Sequence, residues 1–318
     1  MPFDPRATTF SLQNARVLGQ AAAIAYQAKP VCGAWADANG FPSSTLDFFD
    51  NRDTQGFVVQ NDAAIIVAFR GTQPTHPMDW FVDAGAIPHA WDHGVGTVHK
   101  GFYEALRAIW GVKLPDGRHV LPERLLNRGN RTVWITGHSL GGALAELCAA
   151  QAFFVNGIPV QGVYTFGQPR VGNQAFATLV DGTLGSHIFR FVNDRDIVPR
   201  VPLFSTGYRH YGCQTLYDHA GKGPDSPLAS SVETVASALR FAALALNVDP
   251  LLQAADLLKD KAADLLGHGH KAGDITSDQE KAALEQWRKI LRGGVENIDD
   301  HNMTECYLKR LDASLSTV

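Results

Sequence analysis

The spacing of apolar residues changes several times along the chain, and each change predicts an element. From Asn14 to Ala28, "NARVLGQAAAIAYQA" sets Val17, Ala21, Ile24 and Ala28 three or four positions apart, which predicts one amphipathic helix. The next two runs, "GFVVQ" and "AAIIVAFRGT", are strand-like, and the turn formers Asn61-Asp62 between them predict an antiparallel hairpin. The second run is apolar without a break from Ala63 to Phe69, as in a strand covered on both faces. "VHKGFYEALRAIW" reads as a helix starting near Gly101, and "KLPDGRHVLPE" as a turn broken by Pro115, Asp116 and Gly117. Three further strand runs follow, Thr132 to Thr136, Val160 to Phe166 and His187 to Val192, with a long helical pattern between the first two. Strands alternating with helices predict right-handed parallel crossovers, hence an α/β sheet with helices on its faces.

Beyond "YRHYGCQTLY" the pattern becomes helical only. Val232, Val235, Leu239, Ala242 and Leu246 recur at helical spacing, and Leu251, Ala255, Leu258, Ala262 and Leu265 do so after Pro250. The expectation is a single domain over 1–318 with a helical insertion at about 220–294. Arg240, Glu233 and Asp249 keep the apolar run short of the roughly 20 residues a bilayer span needs, so no transmembrane segment is expected.

Composition narrows the function more than the fold. The chain has 318 residues, 45% of them hydrophobic, enough for a sizeable core. A formal net charge of -4 and the absence of any Lys/Arg run argue against nucleic acid and against an anionic membrane surface. "MPFDPRATTF" lacks the basic and apolar regions of a secretory signal, so the default expectation is a cytoplasmic protein, with secretion after removal of a leader left open. Cys32, Cys148, Cys213 and Cys306 are too scattered for a disulfide scaffold or zinc ribbon; buried thiols are expected, with one disulfide left open. Nothing in the chain sets an oligomeric state.

The chemistry concentrates in "TVWITGHSLGGALAELCAAQ", where a strand run meets a helical run at Ser139. A nucleophile at the carboxyl end of a strand needs a very tight strand-to-helix turn. Gly137 and Gly141 flank Ser139 at the positions where strand and helix must pass without Cβ clashes, while the serine takes a strained backbone conformation that lifts its Oγ clear. The Leu140 N–H, at the start of the helix, then points to where a negative oxygen would form. With Gly and Ser each at roughly 7% of residues, this spacing arises by chance in about one chain in ten of such length. The strand before it and the helix after it therefore carry the reading.

"FRGT" at Phe69 to Thr72, "VHKGF" at Val98 to Phe102, "GHSLGGALA" at Gly137 to Ala145, "TFGQPRVGN" at Thr165 to Asn173 and "DIVPRVP" at Asp196 to Pro202 stand in one order. This series resembles the signature blocks of the class 3 lipases, the fungal-type triacylglycerol lipases of the α/β-hydrolase superfamily, over about residues 14 to 215. The resemblance implies an α/β-hydrolase fold with a mostly parallel central sheet, and the helical insertion would precede a C-terminal catalytic histidine. It implies a serine ester hydrolase acting on lipid or other ester substrates, with access to a lipid–water interface and with no metal or organic cofactor.

A serine hydroxyl needs a base, and the base needs an orienting carboxylate, in the chain order Ser, Asp or Glu, His. Asp194 and Asp196 both follow the strand "HIFRFV"; the family pattern matches the acid directly before "IVPR", which is Asp196, and leaves Asp194 as a turn former or a partner of the site. Among twelve histidines, His99 and His138 precede the serine and read as structural, His210 resembles a strand position of the family, and His268 and His270 lie in a polar loop without further ligands at metal spacing. His301, after turn-forming aspartates and before the helical pattern Met303, Tyr307, Leu308 and Leu311, resembles the family's catalytic histidine. Its distance from Asp196 is longer than the family's usual gap, and the insertion accounts for most of the excess. Thr72 matches the family's second oxyanion donor, beside Leu140, and residues 73–86 match its mobile lid, in which Trp80, Phe81 and Val82, with Ile87 beyond, either cover an acyl groove or pack in the core. The same residues would serve a lipase, a feruloyl esterase, a phospholipase A1 or a short-chain esterase. A silent lipid- or partner-binding module is the alternative from outside enzymology.

Overall fold

A computed structural model describes residues 3–51, 54–71, 87–113, 116–193, 196, 198–202, 206–217 and 301–316. Thr72, the expected lid at 73–86, Asp194, His268, His270 and the expected insertion at 220–294 lie outside the described residues. The strands are β1 (Asp47–Asn51), β2 (Thr54–Gln60), β3 (Ala64–Phe69), β4 (Pro88–Ala90), β5 (Thr97–His99), β6 (Thr132–His138), β7 (Gly162–Phe166), β8 (Gly172–Asn173), β9 (Ile188–Asn193), β10 (Tyr208–Arg209) and β11 (Cys213–Tyr217). The helices are α1 (Leu12–Ile24), α2 (Lys29–Ala38), α3 (Lys100–Trp110), α4 (Val120–Leu126), α5 (Leu140–Ala150), α6 (Gln174–Leu184) and α7 (Lys309–Ser316), the last preceded by a π-helical turn over Met303–Leu308.

The main sheet has seven strands in the order β1-β2-β3-β6-β7-β9-β11. The pairs β1/β2 and β2/β3 are antiparallel, and every pair from β3 to β11 is parallel. The expected mostly parallel sheet is borne out, and its burial explains the unbroken apolar run of β3. Ile65, Val67 and Phe69 face one core, shared with Leu106 of α3, Leu144 and Leu147 of α5 and Val180 of α6. Ala64, Ile66 and Ala68 face the other, with Leu18 of α1, Tyr307 and Leu311. Both faces are covered, so no position on the strand needs a polar side chain.

Several boundaries differ from the sequence pattern for local reasons. The helix expected over Asn14 to Ala28 runs from Leu12, where the Ser11 hydroxyl accepts the Asn14 N–H at 3.1 Å, and stops at Ile24. Ala28 instead caps a second helix, whose first turn holds Pro30; a proline there forfeits no helical hydrogen bond. In the hairpin the Asn61 N–H donates to the Ala64 carbonyl at 3.0 Å, so Asp62-Ala63 is the central pair, one position later than Asn61-Asp62. Asn61 Oδ1 accepts the Ala63 and Ala64 N–H groups at 2.9 Å, which draws the turn inward. "KLPDGRHVLPE" is only half a turn: Lys113 bridges to His119, and α4 then begins at Val120, with Pro122 tolerated in its first turn.

A second, four-stranded sheet in the order β10-β8-β5-β4 was anticipated only at the strand position read near His210, because strands of two or three residues carry no readable period. None of the four cysteines is in a disulfide, and Cys32, Cys148 and Cys213 are buried, so the single disulfide left open by the sequence does not form. Burial pushes the Cys32 thiol up to about 11. Among the described residues no helix is long and apolar enough to cross a membrane.

Candidate active site

Strand β6 ends at His138 and α5 begins at Leu140, so the whole turn between them is Ser139. Its φ of 59° and ψ of -130° make it the one non-glycine residue with positive φ among those described. An L residue there is strained by about 1–3 kcal/mol, which the surroundings must hold in place. They do so by hydrogen bonds and by closeness. The Ser139 N–H donates to the Phe166 carbonyl at 2.9 Å, and the Gly142 N–H donates to the Ser139 carbonyl at 2.9 Å. A Cβ on Gly137 would stand 2.1 Å from the Gly141 carbonyl oxygen, and one on Gly141 would stand 2.4 Å from that of Phe69. The glycines are therefore demanded by the crossing of helix and strand. As the first residue of α5, Leu140 has an N–H with no intrahelical acceptor, at the positive end of the helix dipole.

Asp196, just past the carboxyl end of β9, is fully buried and accepts three hydrogen bonds from described residues. His301 Nδ1 donates to its Oδ2 at 2.7 Å, the Tyr307 hydroxyl donates to the same oxygen at 2.6 Å, and the Val198 N–H donates to Oδ1 at 2.9 Å. Since Nδ1 carries a proton, neutral His301 presents Nε2 as a free lone pair. That atom and Ser139 Oγ are both buried, and neither has a hydrogen-bond partner among the described residues. Gly167 makes room for this group. Its φ is 58°, and a Cβ on it would come within 2.7 Å of Asp196 Oδ2 and 2.8 Å of His301 Nδ1.

Of the other histidines considered, His138 is buried against His301, with ring centroids 4.4 Å apart. Burial, and to a lesser degree neighbouring His301, hold its imidazole well below the ordinary range, so it stays neutral. His99 is buried on the ring of Phe102, centroids 4.3 Å apart. His210 lies between β10 and β11 rather than on a strand, and its Nε2 donates to the Pro199 carbonyl at 2.6 Å. Burial, then the Arg190 and Arg170 guanidinium groups, hold it well below the ordinary imidazole range too.

Two participants were not singled out by the sequence. Tyr307 enters the apolar period as a ring, and nothing in a period reports where its hydroxyl points. Gly167 sits inside the quoted block "TFGQPRVGN", which marks it only as part of a motif.

Residues 66–206 match a protein family described as Lipase (class 3). A lipase from Rhizomucor miehei is 35% identical over 166 residues, covering 50% of this chain and 44% of that protein. The secreted mono- and diacylglycerol lipase A of Penicillium cyclopium is 33% identical over 173 residues, covering 52% of this chain and 53% of its own length. The chain thus spans about half the length of these curated relatives. Among solved structures, a triacylglycerol lipase described as having a serine protease triad for its catalytic centre shares 29% identity, with a TM-score of 0.54 over 66% of this chain and 82% of that one. Lipase II from Rhizopus niveus shares 26% identity with the same TM-score and the same two coverages.

Proposed function

We propose that this chain, which matches the class 3 lipase family over residues 66–206, is a member of it and a serine carboxylic ester hydrolase acting on lipid esters. Ser139 Oγ attacks the ester carbonyl as its proton passes to His301 Nε2. Asp196 holds the imidazole in the required tautomer and stabilises the imidazolium that forms. The Leu140 N–H and Thr72 receive the tetrahedral oxyanion, a contribution of about 10²–10³ in turnover for each donor. The imidazolium then protonates the leaving alkoxide, and water, deprotonated by His301, releases the acid from the acyl-enzyme.

The observations that carry this reading are the buried pair of His301 and Asp196, 2.7 Å apart and drawn from opposite ends of a long stretch of chain, and a serine held at positive φ in a strand-to-helix turn. A silent binding module would have no use for that backbone strain. The substrate class follows the relatives, which are named as lipases of triacylglycerols or of mono- and diacylglycerols. A feruloyl esterase, a phospholipase A1 or a short-chain esterase would use the same groups, and acyl length separates them. The lid role of residues 73–86 predicts a jump in activity when a long-chain ester passes from monomers to an emulsion; a flat response would remove it. A relative named as secreted favours export over the cytoplasmic default.

The test is labelling with a fluorophosphonate probe followed by peptide mapping, alongside p-nitrophenyl ester hydrolysis. One modified residue, Ser139, is expected, with hydrolysis lost in Ser139→Ala and in His301→Ala and kept in His210→Ala. No labelling, or loss of turnover in His210→Ala with His301→Ala within tenfold of the parent, would overturn the assignment. A series of esters from acetate to oleate then separates esterase from lipase.

A further inference from the structure

Tyr26 lies just beyond α1, in a part of the chain that contributes no group to the proposed reaction. Yet its hydroxyl sits between two strands of the active-site floor. The Gly71 N–H, just past β3, donates to Tyr26 Oη at 3.2 Å, and Oη lies 3.0 Å from His138 Nδ1. On the far side of that ring, His138 Nε2 is 2.7 Å from the backbone carbonyl of His301.

The proton positions in this series follow from what each end can do. A carbonyl oxygen only accepts, so His138 Nε2 must carry the ring proton and donate it. In a neutral imidazole Nδ1 is then a bare lone pair, and the Tyr26 hydroxyl must donate to it, leaving its own lone pairs to accept the Gly71 N–H. Every group is used once and in one direction. Burial raises the Tyr26 hydroxyl far above its ordinary range, which keeps it a donor.

We propose that Tyr26 and His138 are positioning residues that tie the loop leaving β3 at Gly71 to the backbone of His301, and so fix the distance between the oxyanion loop and the general base. The inference rests on the reading of His301 as that base. Gly71 and His301 are 230 positions apart in the chain, and neither residue belongs to a strand ladder. The strut links them through two side chains. Because His138 stays neutral, its tilted ring 4.4 Å from that of His301 adds no repulsion when His301 becomes an imidazolium.

The experiment compares Tyr26→Phe with the parent, per active site titrated by fluorophosphonate so that only folded enzyme is counted. A lost hydrogen bond to a group that moves the reacting atoms predicts a kcat about tenfold lower, with KM within about threefold. At His138 the donor to the His301 carbonyl is what matters: His138→Gln, which keeps an N–H near Nε2, should retain at least about tenfold more kcat than His138→Leu. Independently of turnover, ¹⁵N spectra of histidine-labelled protein should show His138 as the neutral Nε2–H tautomer at pH 7. A kcat for Tyr26→Phe within twofold of the parent, equal losses in the two His138 variants, or an Nδ1–H tautomer would each overturn the strut while leaving the hydrolase reading intact. A parent chain that neither hydrolyses esters nor takes the probe would instead overturn the hydrolase reading, and the strut with it.

Discussion

The Tyr307 hydroxyl donates at 2.6 Å to Asp196 Oδ2, the same carboxylate oxygen that accepts the hydrogen bond from His301 Nδ1. Tyr307 Oη also accepts the Asn193 N–H at 3.1 Å, so one phenol joins the end of β9 to the acid that follows it. Burial, then the charge of Asp196, raise its hydroxyl far above the ordinary range, so it acts as a donor at any working pH. Tyr307→Phe removes both contacts and leaves a buried N–H and a buried carboxylate each short of a partner. A stability loss of about 1–3 kcal/mol is expected, with kcat lowered about tenfold; denaturant melts and steady-state kinetics check the two separately.

Gly167 leaves no room for a Cβ beside Asp196 and His301, and its φ is positive. Gly167→Ala therefore meets two obstacles, a disfavoured backbone and a methyl inside the Asp196–His301 contact. Turnover should fall by about 10² or more, on the scale of a misplaced reacting group. Since the methyl displaces the acid and base rather than Ser139, fluorophosphonate labelling should slow along with turnover; a variant labelled at the parental rate would contradict this geometry.

The strain at Ser139 can be measured directly. Ser139→Ala and Ser139→Gly both delete the proposed nucleophile, but only glycine relaxes at φ 59°. The glycine variant should be the more stable of the two by about 1 kcal/mol. Calorimetric melts of the two inactive proteins decide it, and an alanine variant of equal or higher stability would show that the turn is unstrained.

Glu146 lies on α5, about two turns beyond Ser139, and is fully buried. Burial raises its carboxyl to about 7, against the pull of the Arg190 guanidinium. A carboxyl raised in the folded state binds its proton more tightly there than when unfolded. Its contribution is therefore present in full below the unfolded value of 4.5 and is lost as pH rises to about 7. Glu146→Gln has no such dependence, so its stability relative to the parent should climb by about 3 kcal/mol between pH 4.5 and pH 8. Urea unfolding of both proteins across that range is the measurement, and parallel curves would refute the buried titration.

Much of the architecture was legible because it rests on short-range rules. The unbroken apolar run of β3 announced a strand covered on both sides, and the glycines around Ser139 announced a crossing too close for any Cβ; the packing of Ile65 against one core and Ile66 against the other, and the 2.1 Å approach at Gly137, are those same statements in space. Where the period misled, a single side chain intervened, as with Asn61 drawing the hairpin turn one residue onward.

The sequence by itself determined the long strands of the main sheet, their parallel crossovers and the serine turn, since each rests on a pattern carried by residues near one another in the chain. Chain order and motif resemblance could nominate His301 and Asp196, but their 2.7 Å contact, the shared hydroxyl of Tyr307 and the link from Gly71 through Tyr26 to His138 exist only once distant segments pack. A hydrogen bond depends on angles and distances of a few tenths of an ångström, and no spacing along a chain encodes those between residues separated by a whole domain.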